Sequence, residues 1–391
     1  MALLWRLLDG ATAVAALVWA VLAWGRGGFW RTRERLPGPA PLGDWPPVAI
    51  IVPARNEAAL LPITLPSLLS QDYPGPFRVF LVDDNSSDDT AEVAREAARR
   101  AGLAERLTVV PGRPPPPGWR GKVWAMAQGV AAARESGAPA HLLFTDADIR
   151  HPPDSLRRLV SLAEARDLDT ASAMVMLRAE STWERLLVPP FVYFFAKLYP
   201  FAWVNDPSRR TAAAAGGCLL VRREALEQAG GLDVIAGAVI DDCALARAVK
   251  ERGPPGGGRL WLGLADDIHS LRLYHGLSGV WEMVARSAYA QLDYSPARLA
   301  LTVAGMLLTY LAPPLAVLLG LTKRRRWPLL GGLLGWSIMS FTYLPMLRWY
   351  RLPAWWAPTL PLAALLYTLM TMDSARRHWQ GRGTNWRGRP V

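Results

Sequence analysis

Apolar positions are spread unevenly along the chain. Leu3 to Trp24 is a nearly unbroken apolar stretch with Arg6 and Asp9 near its start, long enough as a helix to cross a bilayer. A secretory signal would end in a small-residue cleavage site with a polar flank, and none follows cleanly. Trp19 and Trp24 suit a membrane boundary, and Arg26, Arg31, Arg33 and Arg35 form a basic collar, cytoplasmic under the positive-inside rule. A Pro/Gly-rich linker, Leu36 to Pro47, follows. Three more apolar stretches lie near the C terminus: Leu299 to Leu321, Trp327 to Leu347 and Pro353 to Met372. Lys323-Arg324-Arg325-Arg326 separates the first two, and an Arg-rich tail runs from Arg376 to Arg389. If all three stretches span and the central domain is cytoplasmic, quartet and tail fall outside. If Leu299 to Leu321 breaks at Pro313-Pro314, dips in and returns, collar, quartet and tail all stay cytoplasmic, which suits the charge pattern better. Mid-span prolines are nonetheless tolerated, so three and four spans both stand. Either way the protein is expected to be integral to a membrane.

Between these ends the periodicity changes. Strands are expected at Val48–Val52, Phe77–Val82, Leu107–Val110, His141–Phe144, Thr170–Val175 and Leu260–Leu264. Helices are expected at Ala58–Gln71, Ala91–Ala101, Lys122–Ala133, Leu156–Ala165 and Cys243–Lys250. This alternation predicts an α/β fold with a mostly parallel sheet, which binds ligands beyond the carboxyl ends of its strands. Trp183 to Val204 departs from the pattern with Phe191, Tyr193, Phe194, Phe195, Tyr199, Phe201 and Trp203. Pro189-Pro190 and Pro200 predict interruptions there. The segment therefore reads better as lying among lipid headgroups, or lining a lipid groove, than as a span; a buried helix pair is the alternative. The expected division is an anchor (1–25), a collar and linker (26–47), a catalytic domain (48–298) with an insertion (183–204), membrane segments (299–375) and a basic tail (376–391).

Composition narrows the function. Of 391 residues, 51% are hydrophobic, high for a wholly soluble enzyme. Two cysteines, Cys218 and Cys243, are too few for a disulfide scaffold, and no Cys/His spacing suits zinc. The net charge of +11 comes from Arg clustered beside apolar stretches. No basic, aromatic-interleaved helix marks a nucleic-acid partner, and an anionic membrane surface accounts for the excess. Neither G-x-G-x-x-G nor a P-loop is present. Polar clusters instead follow the strands: Pro53, Arg55, Asn56 and Glu57; Asp83, Asp84 and Asn85; Asp146 and Asp148. Residues i and i+2 at a strand mouth point the same way, so the last two acids are expected to share one cation, such as a divalent metal carrying phosphates. Gly216 and Gly217 permit close backbone approach to a ligand. Asp241 and Asp242 precede the helix expected from Cys243, where acids cap.

Four stretches resemble, in order and spacing, the inverting family 2 glycosyltransferases: Val52-Pro53-Ala54-Arg55-Asn56-Glu57, Val82-Asp83-Asp84-Asn85-Ser86-Ser87-Asp88-Asp89-Thr90, Gly121-Lys122 and Thr145-Asp146-Ala147-Asp148. The resemblance implies a GT-A type nucleotide-sugar-binding domain. It places Glu57 and Asp84 at the nucleoside, Lys122 by the donor, and Gly216-Gly217 at the donor sugar and acceptor. Asp148 would bind the Mg2+ or Mn2+ that bridges the diphosphate, with Asp146 beside it. Where the family shows Glu-Asp, this chain has Asp241-Asp242, so the base carries over to Asp242. The family's membrane-bound members often carry Gln-x-x-Arg-Trp; here Arg286-Ser287-Ala288-Tyr289 and Gln291-Leu292 stand instead. That departure argues against a processive synthase and leaves Arg286, then Arg272, as candidate diphosphate cations.

The full layout looks like the bacterial hopene-associated glycosyltransferases, and more distantly the ceramide glucosyltransferases. The particular pieces are Gly25-Arg26-Gly27-Gly28-Phe29-Trp30, Trp281-Glu282-Met283-Val284-Ala285-Arg286, Gln291-Leu292-Asp293-Tyr294-Ser295-Pro296 and Thr309-Tyr310-Leu311-Ala312-Pro313-Pro314. The resemblance implies a hopanoid or related lipid acceptor and a bacterial inner-membrane protein with a cytoplasmic catalytic domain. Its rivals are a polyprenyl-phosphate sugar transferase and a non-catalytic membrane scaffold that kept the fold.

Overall fold

The computed structural model describes residues 2–254, 257–382, 385–386 and 389–390. The chain opens with α1 (Ala2–Gly25) and continues through β1 (Val48–Ala54), α2 (Leu61–Leu69), β2 (Phe77–Asp83), α3 (Thr90–Arg100), β3 (Leu107–Pro111) and α4 (Gly121–Glu135). Next come β4 (His141–Phe144), the short β5 (Ile149–Arg150), α5 (Ser155–Ala165), β6 (Thr170–Met176), α6 (Thr182–Leu198) and α7 (Phe201–Val204). Then follow β7 (Leu219–Arg222), α8 (Arg223–Gln228), α9 (Asp241–Arg252) and β8 (Leu260–Ser270). The final helices are α10 (Gly276–Ala285), α11 (Pro296–Met306), α12 (Ala312–Thr322), α13 (Arg326–Trp349) and α14 (Leu360–Trp379). Two compact units result. One holds 33–178, 203–272 and 385–391; the other holds 1–32, 179–202 and 273–384.

The first unit is built on an eight-stranded sheet in the order β3-β2-β1-β4-β7-β6-β8-β5. β1 to β4 run parallel, β7 is antiparallel to both its neighbours, and β6 and β8 are parallel to each other. Every residue of β1 and β4 is buried, which explains their continuous apolar runs: a parallel strand covered on both faces has no solvent side. The parallel registers Val48↔Phe77 and Val48↔His141 bring the ends of β1, β2 and β4 to one edge. The expected polar clusters gather there. α4 packs against β1 and β2 so closely that a Cβ at Gly129 would lie 2.5 Å from Ile51 Cγ2 and 3.0 Å from Val82 Cγ2. Gly129→Ala is therefore expected to destabilise the unit by about 1–3 kcal/mol through overpacking, against a helix-propensity gain of about 1 kcal/mol. Thermal or denaturant unfolding measures the balance; a stabilised variant would refute the tight α4–sheet contact.

In the second unit, four helices are long and apolar enough to cross a membrane: Trp5–Gly25, Thr182–Val204, Pro296–Thr322 and Arg326–Trp349. Three sequence expectations change here. α6 is not interrupted at Pro189-Pro190. A capping box at Ser181 and Glu184 fixes its first turn, and Leu186–Pro190, Val192 and Tyr193 are buried. That burial against α10, α13 and α14 offsets two lost N–H donors. The helix does end before Pro200. Nor does the chain reverse at Pro313-Pro314: α11, a π-helical turn at Leu307–Leu311 and α12 form one apolar helix. Pro313 has no N–H for the Thr309 carbonyl, and the Trp19 indole N–H reaches that oxygen at 2.8 Å instead. The stretch Pro353–Met372 is not among the four; it begins as a 3-10 turn (Ala354–Thr359), and α14 carries Asp373, Arg376 and Arg377. Asp373 takes the Trp281 indole N–H at 2.9 Å, and Arg377 pairs with Glu282 at 2.7 Å.

Candidate functional site

Two helix starts meet the edge of the sheet. Lys122 is in the first turn of α4, and Asp241 and Asp242 open α9. Lys122 Nζ lies 3.0 Å from Asp146 Oδ1 and 3.1 Å from Asp241 Oδ2, bridging the two carboxylates. Asp242 is held by its backbone neighbours: Oδ2 accepts the Gly216 N–H at 2.7 Å and Oδ1 the Cys243 N–H at 2.7 Å. These residues line a small cleft together with Pro53, Met126, Phe144, Thr145 and Leu219. A Cβ on Gly216 would stand 3.2 Å from Asp242 Oδ2 and 3.4 Å from Lys122 Nζ, and one on Gly217 would meet Val175 at 3.0 Å. Gly216 thus lets the backbone close over the acid, and Gly217 lets it pack against Val175.

Burial, reinforced by the Asp241 carboxylate, pushes Asp242 up to about 6 against the opposing pull of Lys122 and the two N–H donors. Burial raises Asp146 too, in spite of Lys122, with Asp148 and Asp241 adding to the effect. Burial opposes the charge on Lys122, yet Asp146, Asp241 and Asp242 hold it well above the ordinary lysine range. The cleft therefore keeps one permanent cation beside a carboxylate that takes up a proton near neutrality, an arrangement suited to general base work.

A second cluster surrounds Glu57, Asp84 and Asp148. Asp84 is fully buried and Glu57 is 7% exposed. Arg55 Nη1 donates to the Asp84 and Asn85 carbonyls at 2.6 and 2.9 Å and lies 3.9 Å from Asp84 Oδ2, tying the turn after β1 to the turn after β2. Both turns need left-handed residues, and Asn56 and Asn85, each at φ 52°, provide them. Asp83 shapes the second turn: its Oδ1 accepts the Ser86 N–H at 3.1 Å, and its carbonyl accepts from Asn85 and Gly112. Arg272, just past β8, donates from Nε to Asp148 Oδ2 at 3.2 Å and from Nη2 to Glu57 Oε1 at 3.1 Å. Ser270 Oγ donates to the same Asp148 oxygen at 2.7 Å. Burial alone would raise Asp148, but Arg272 and Ser270 outweigh it and hold the acid below its usual range.

The two acids after β4 thus do not share one direction. β4 ends at Phe144, and residues 145–148 form a turn closed by Ile149 N–H to the Asp146 carbonyl, so strand alternation no longer applies. Asp146 turns to Lys122 and Asp148 to Arg272. Arg286, the first sequence candidate for the diphosphate cation, caps α10 in the helical unit and is exposed. Arg272 is the arginine that the fold brings to the acids. Sequence reading also missed Thr145 and His151. Thr145 Oγ1 donates to the Gly217 carbonyl at 2.8 Å and lies 3.0 Å from His151 Nε2. Burial drives His151 down to about 3, so it is neutral, and its N–H can serve the threonine oxygen. A lone histidine six residues beyond Thr145 carries no recognisable signal in the sequence.

For Mg2+ or Mn2+, the donor set suits an ion that arrives with phosphates. Such ions use one or two carboxylates and complete their shells with substrate oxygens and water; Asp148 offers one, while Asp146 beside it is turned to Lys122. Among the described residues no three His, Cys, Asp or Glu side chains gather as a self-sufficient metal cage.

The family model "Glycosyltransferase like family 2" matches residues 46–255. The undecaprenyl-phosphate 4-deoxy-4-formamido-L-arabinose transferase of Pseudomonas savastanoi pv. phaseolicola is 29% identical over 140 residues, 35% of this chain and 38% of that protein. An N-acetylglucosaminyltransferase of Rhizobium leguminosarum bv. viciae is 31% identical over 147 residues, 37% of this chain and 32% of that protein. The chain therefore spans about a third of the length of these curated relatives. Among solved structures, the mannosyltransferase PcManGT from Pyrobaculum calidifontis, in complex with GDP-Man and Mn2+, is similar in fold, with a TM-score of 0.54 and 20% identity over 95% of this chain and 99% of that one. The family match covers more than half of the chain and includes the acids after β1, β2 and β4 and at the start of α9; the protein belongs to glycosyltransferase family 2 and has the GT-A fold.

Proposed function

We propose that the protein transfers a single sugar, with inversion, from a nucleotide-diphosphate sugar to a lipid acceptor at the cytoplasmic face of a bacterial inner membrane. The observation that carries this is Asp242: a carboxylate clamped by two backbone N–H groups, raised to about 6 and facing a cleft beside Lys122. Asp242 removes the proton of the acceptor oxygen as that oxygen attacks the anomeric carbon opposite the departing diphosphate. One displacement inverts the centre. Asp241 holds Lys122 toward the donor, Glu57 and Asp84 serve the nucleoside, and Arg272 stands near the diphosphate. Asp148 would hold the divalent ion, with Asp146 beside it, and the ion would supply charge neutralisation to the diphosphate. The four long apolar helices support a membrane-borne acceptor, and the family resemblance favours a hopanoid-type hydroxyl. A second reading, with a polyprenyl phosphate as acceptor, is favoured by the names of the undecaprenyl-phosphate transferases to which the chain is similar.

Purified protein incubated with Mn2+, a panel of nucleotide sugars and either a hopanoid alcohol or undecaprenyl phosphate should yield one glycosylated lipid by mass spectrometry. No donor turnover on any combination would sink the transferase reading. Calorimetry isolates the metal: Asp148→Asn is expected to weaken Mn2+-dependent nucleotide-sugar binding at least about tenfold, or about 1.4 kcal/mol. Equal affinity in both proteins would overturn the metal assignment.

A further inference from the structure

Lys197 lies in the last turn of α6, within the apolar stretch Thr182–Val204. Its ammonium donates to Tyr310 Oη at 2.7 Å and stands 5.2 Å from the Phe194 ring centre and 4.7 Å from that of Tyr310. Among the described residues no carboxylate reaches it. The nearby charge is of the same sign: Arg26, just beyond α1, donates from Nε to the Lys197 carbonyl at 2.7 Å and from Nη2 to the Leu198 carbonyl at 3.1 Å. Those carbonyls end α6, so Arg26 already supplies the C-terminal cap. The Lys197 ammonium is not needed there and turns to Tyr310. Tyr310 itself is 1% exposed. Its hydroxyl accepts from Lys197, and its own proton meets no acceptor among the described residues.

The backbone at this point is unusual. Tyr310 belongs to the π-helical turn Leu307–Leu311, opened ahead of Pro313 and held by the Trp19 indole on the Thr309 carbonyl. Such turns are rare and recur at functional sites. An ammonium in apolar surroundings is costly without a counter-charge, and two aromatic faces return only part of that cost. Two cations and a hydroxyl proton therefore converge, and among the described residues no carboxylate reaches the Lys197 ammonium. They do so where α1 and α6 end, beside the turn that carries Tyr310.

We propose that Lys197, with Arg26 beside it and the Tyr310 hydroxyl as a second donor, binds the phosphate of a membrane lipid. This rests on the reading of a membrane-borne acceptor and selects its phosphate-bearing version. The ligand chemistry is a phosphate monoester, and the lipid chain supplies its address.

The full-length protein in dodecyl maltoside micelles should bind undecaprenyl phosphate at least about tenfold more tightly than undecaprenol. Lys197→Met should erase that preference, whereas Lys197→Arg should keep most of it. Nucleotide-sugar affinity should be the same in all three proteins, which verifies that the variants are folded. Equal binding of phosphate and alcohol by the parent protein, or a preference that survives Lys197→Met, would overturn the proposal and reduce Lys197 to a lysine boxed by aromatic rings. Inorganic phosphate at millimolar concentration should not displace the lipid; displacement would assign the site to free phosphate. Loss of nucleotide-sugar binding by the parent protein would instead remove the transferase reading, so the two failures are distinguishable.

Discussion

Asp242→Asn is expected to lower kcat by about 10²–10⁴-fold, the usual contribution of a positioned general base, while leaving donor affinity within about twofold. The asparagine keeps the shape and one acceptor for the Gly216 N–H but cannot take a proton. The parent enzyme should show the same group in its pH profile. The base works only when ionised, and burial with Asp241 holds it up to about 6. Activity should therefore be level in alkali and fall as pH drops through about 6, by tenfold per unit below it. A hydroxyl acceptor keeps its proton throughout this range, so the Asn defect should persist at high pH. A phosphate acceptor is ionised above neutrality, and the defect should then fade as pH rises. Full activity of Asp242→Asn with both acceptors at pH 6 would remove Asp242 from the mechanism.

Lys122→Met should cost both stability and donor binding. The lysine is the cation between Asp146 and Asp241, and without it two acids in the cleft face each other with no counter-charge. Breaking a buried pair from one side costs about 3–5 kcal/mol. Asp146 is 36% exposed, and solvent screening brings the expected cost down to about 1–3 kcal/mol. The sign with pH follows from the acids. Lys122 opposes the rise of Asp146 and Asp242, so the variant's carboxylates should protonate at higher pH than the parent's. Its stability deficit should shrink on acidification, and the acid limb of its rate profile should move upward from about 6. The nucleotide-sugar KM should rise at least about tenfold, or about 1.4 kcal/mol. An unchanged KM with normal stability would show that Lys122 neither holds the acids nor meets the donor.

Much of the catalytic domain was legible from residue order because its signals are local. β1 and β4 are continuous apolar runs followed at once by turn residues and became fully buried strands; β2, interrupted by Arg78, is buried from Val79 to Val82, and each has its polar cluster at the carboxyl end. The helices expected from Cys243 and Lys122 formed as α9 and α4, starting two residues and one residue earlier, at Asp241 and Gly121. Other features depended on partners distant in the chain. Arg272 reaches Glu57 and Asp148 only because β8 joins the far side of the sheet, and Arg286 was a fair rival until that pairing existed. Asp146 and Asp148 were read as a strand-end pair, but the turn after Phe144 sends them to different cations.

The apolar helices show the same division. Hydropathy was sufficient to mark α1, α13 and the stretch through α11 and α12, since twenty apolar residues need no tertiary help to be recognised. It misjudged α6, where Pro189-Pro190 argued for a break. Packing against α10, α13 and α14 kept the helix whole, a gain no local rule contains. The sequence by itself marked the main strands and helices of the catalytic domain and the polar residues that follow them, because these depend on period and on residues a few places apart. Only the tertiary structure decided which cation meets which acid, how Gly216 clamps Asp242 and where Lys197 finds Tyr310, because electrostatic and hydrogen-bond partners are chosen by distance in space.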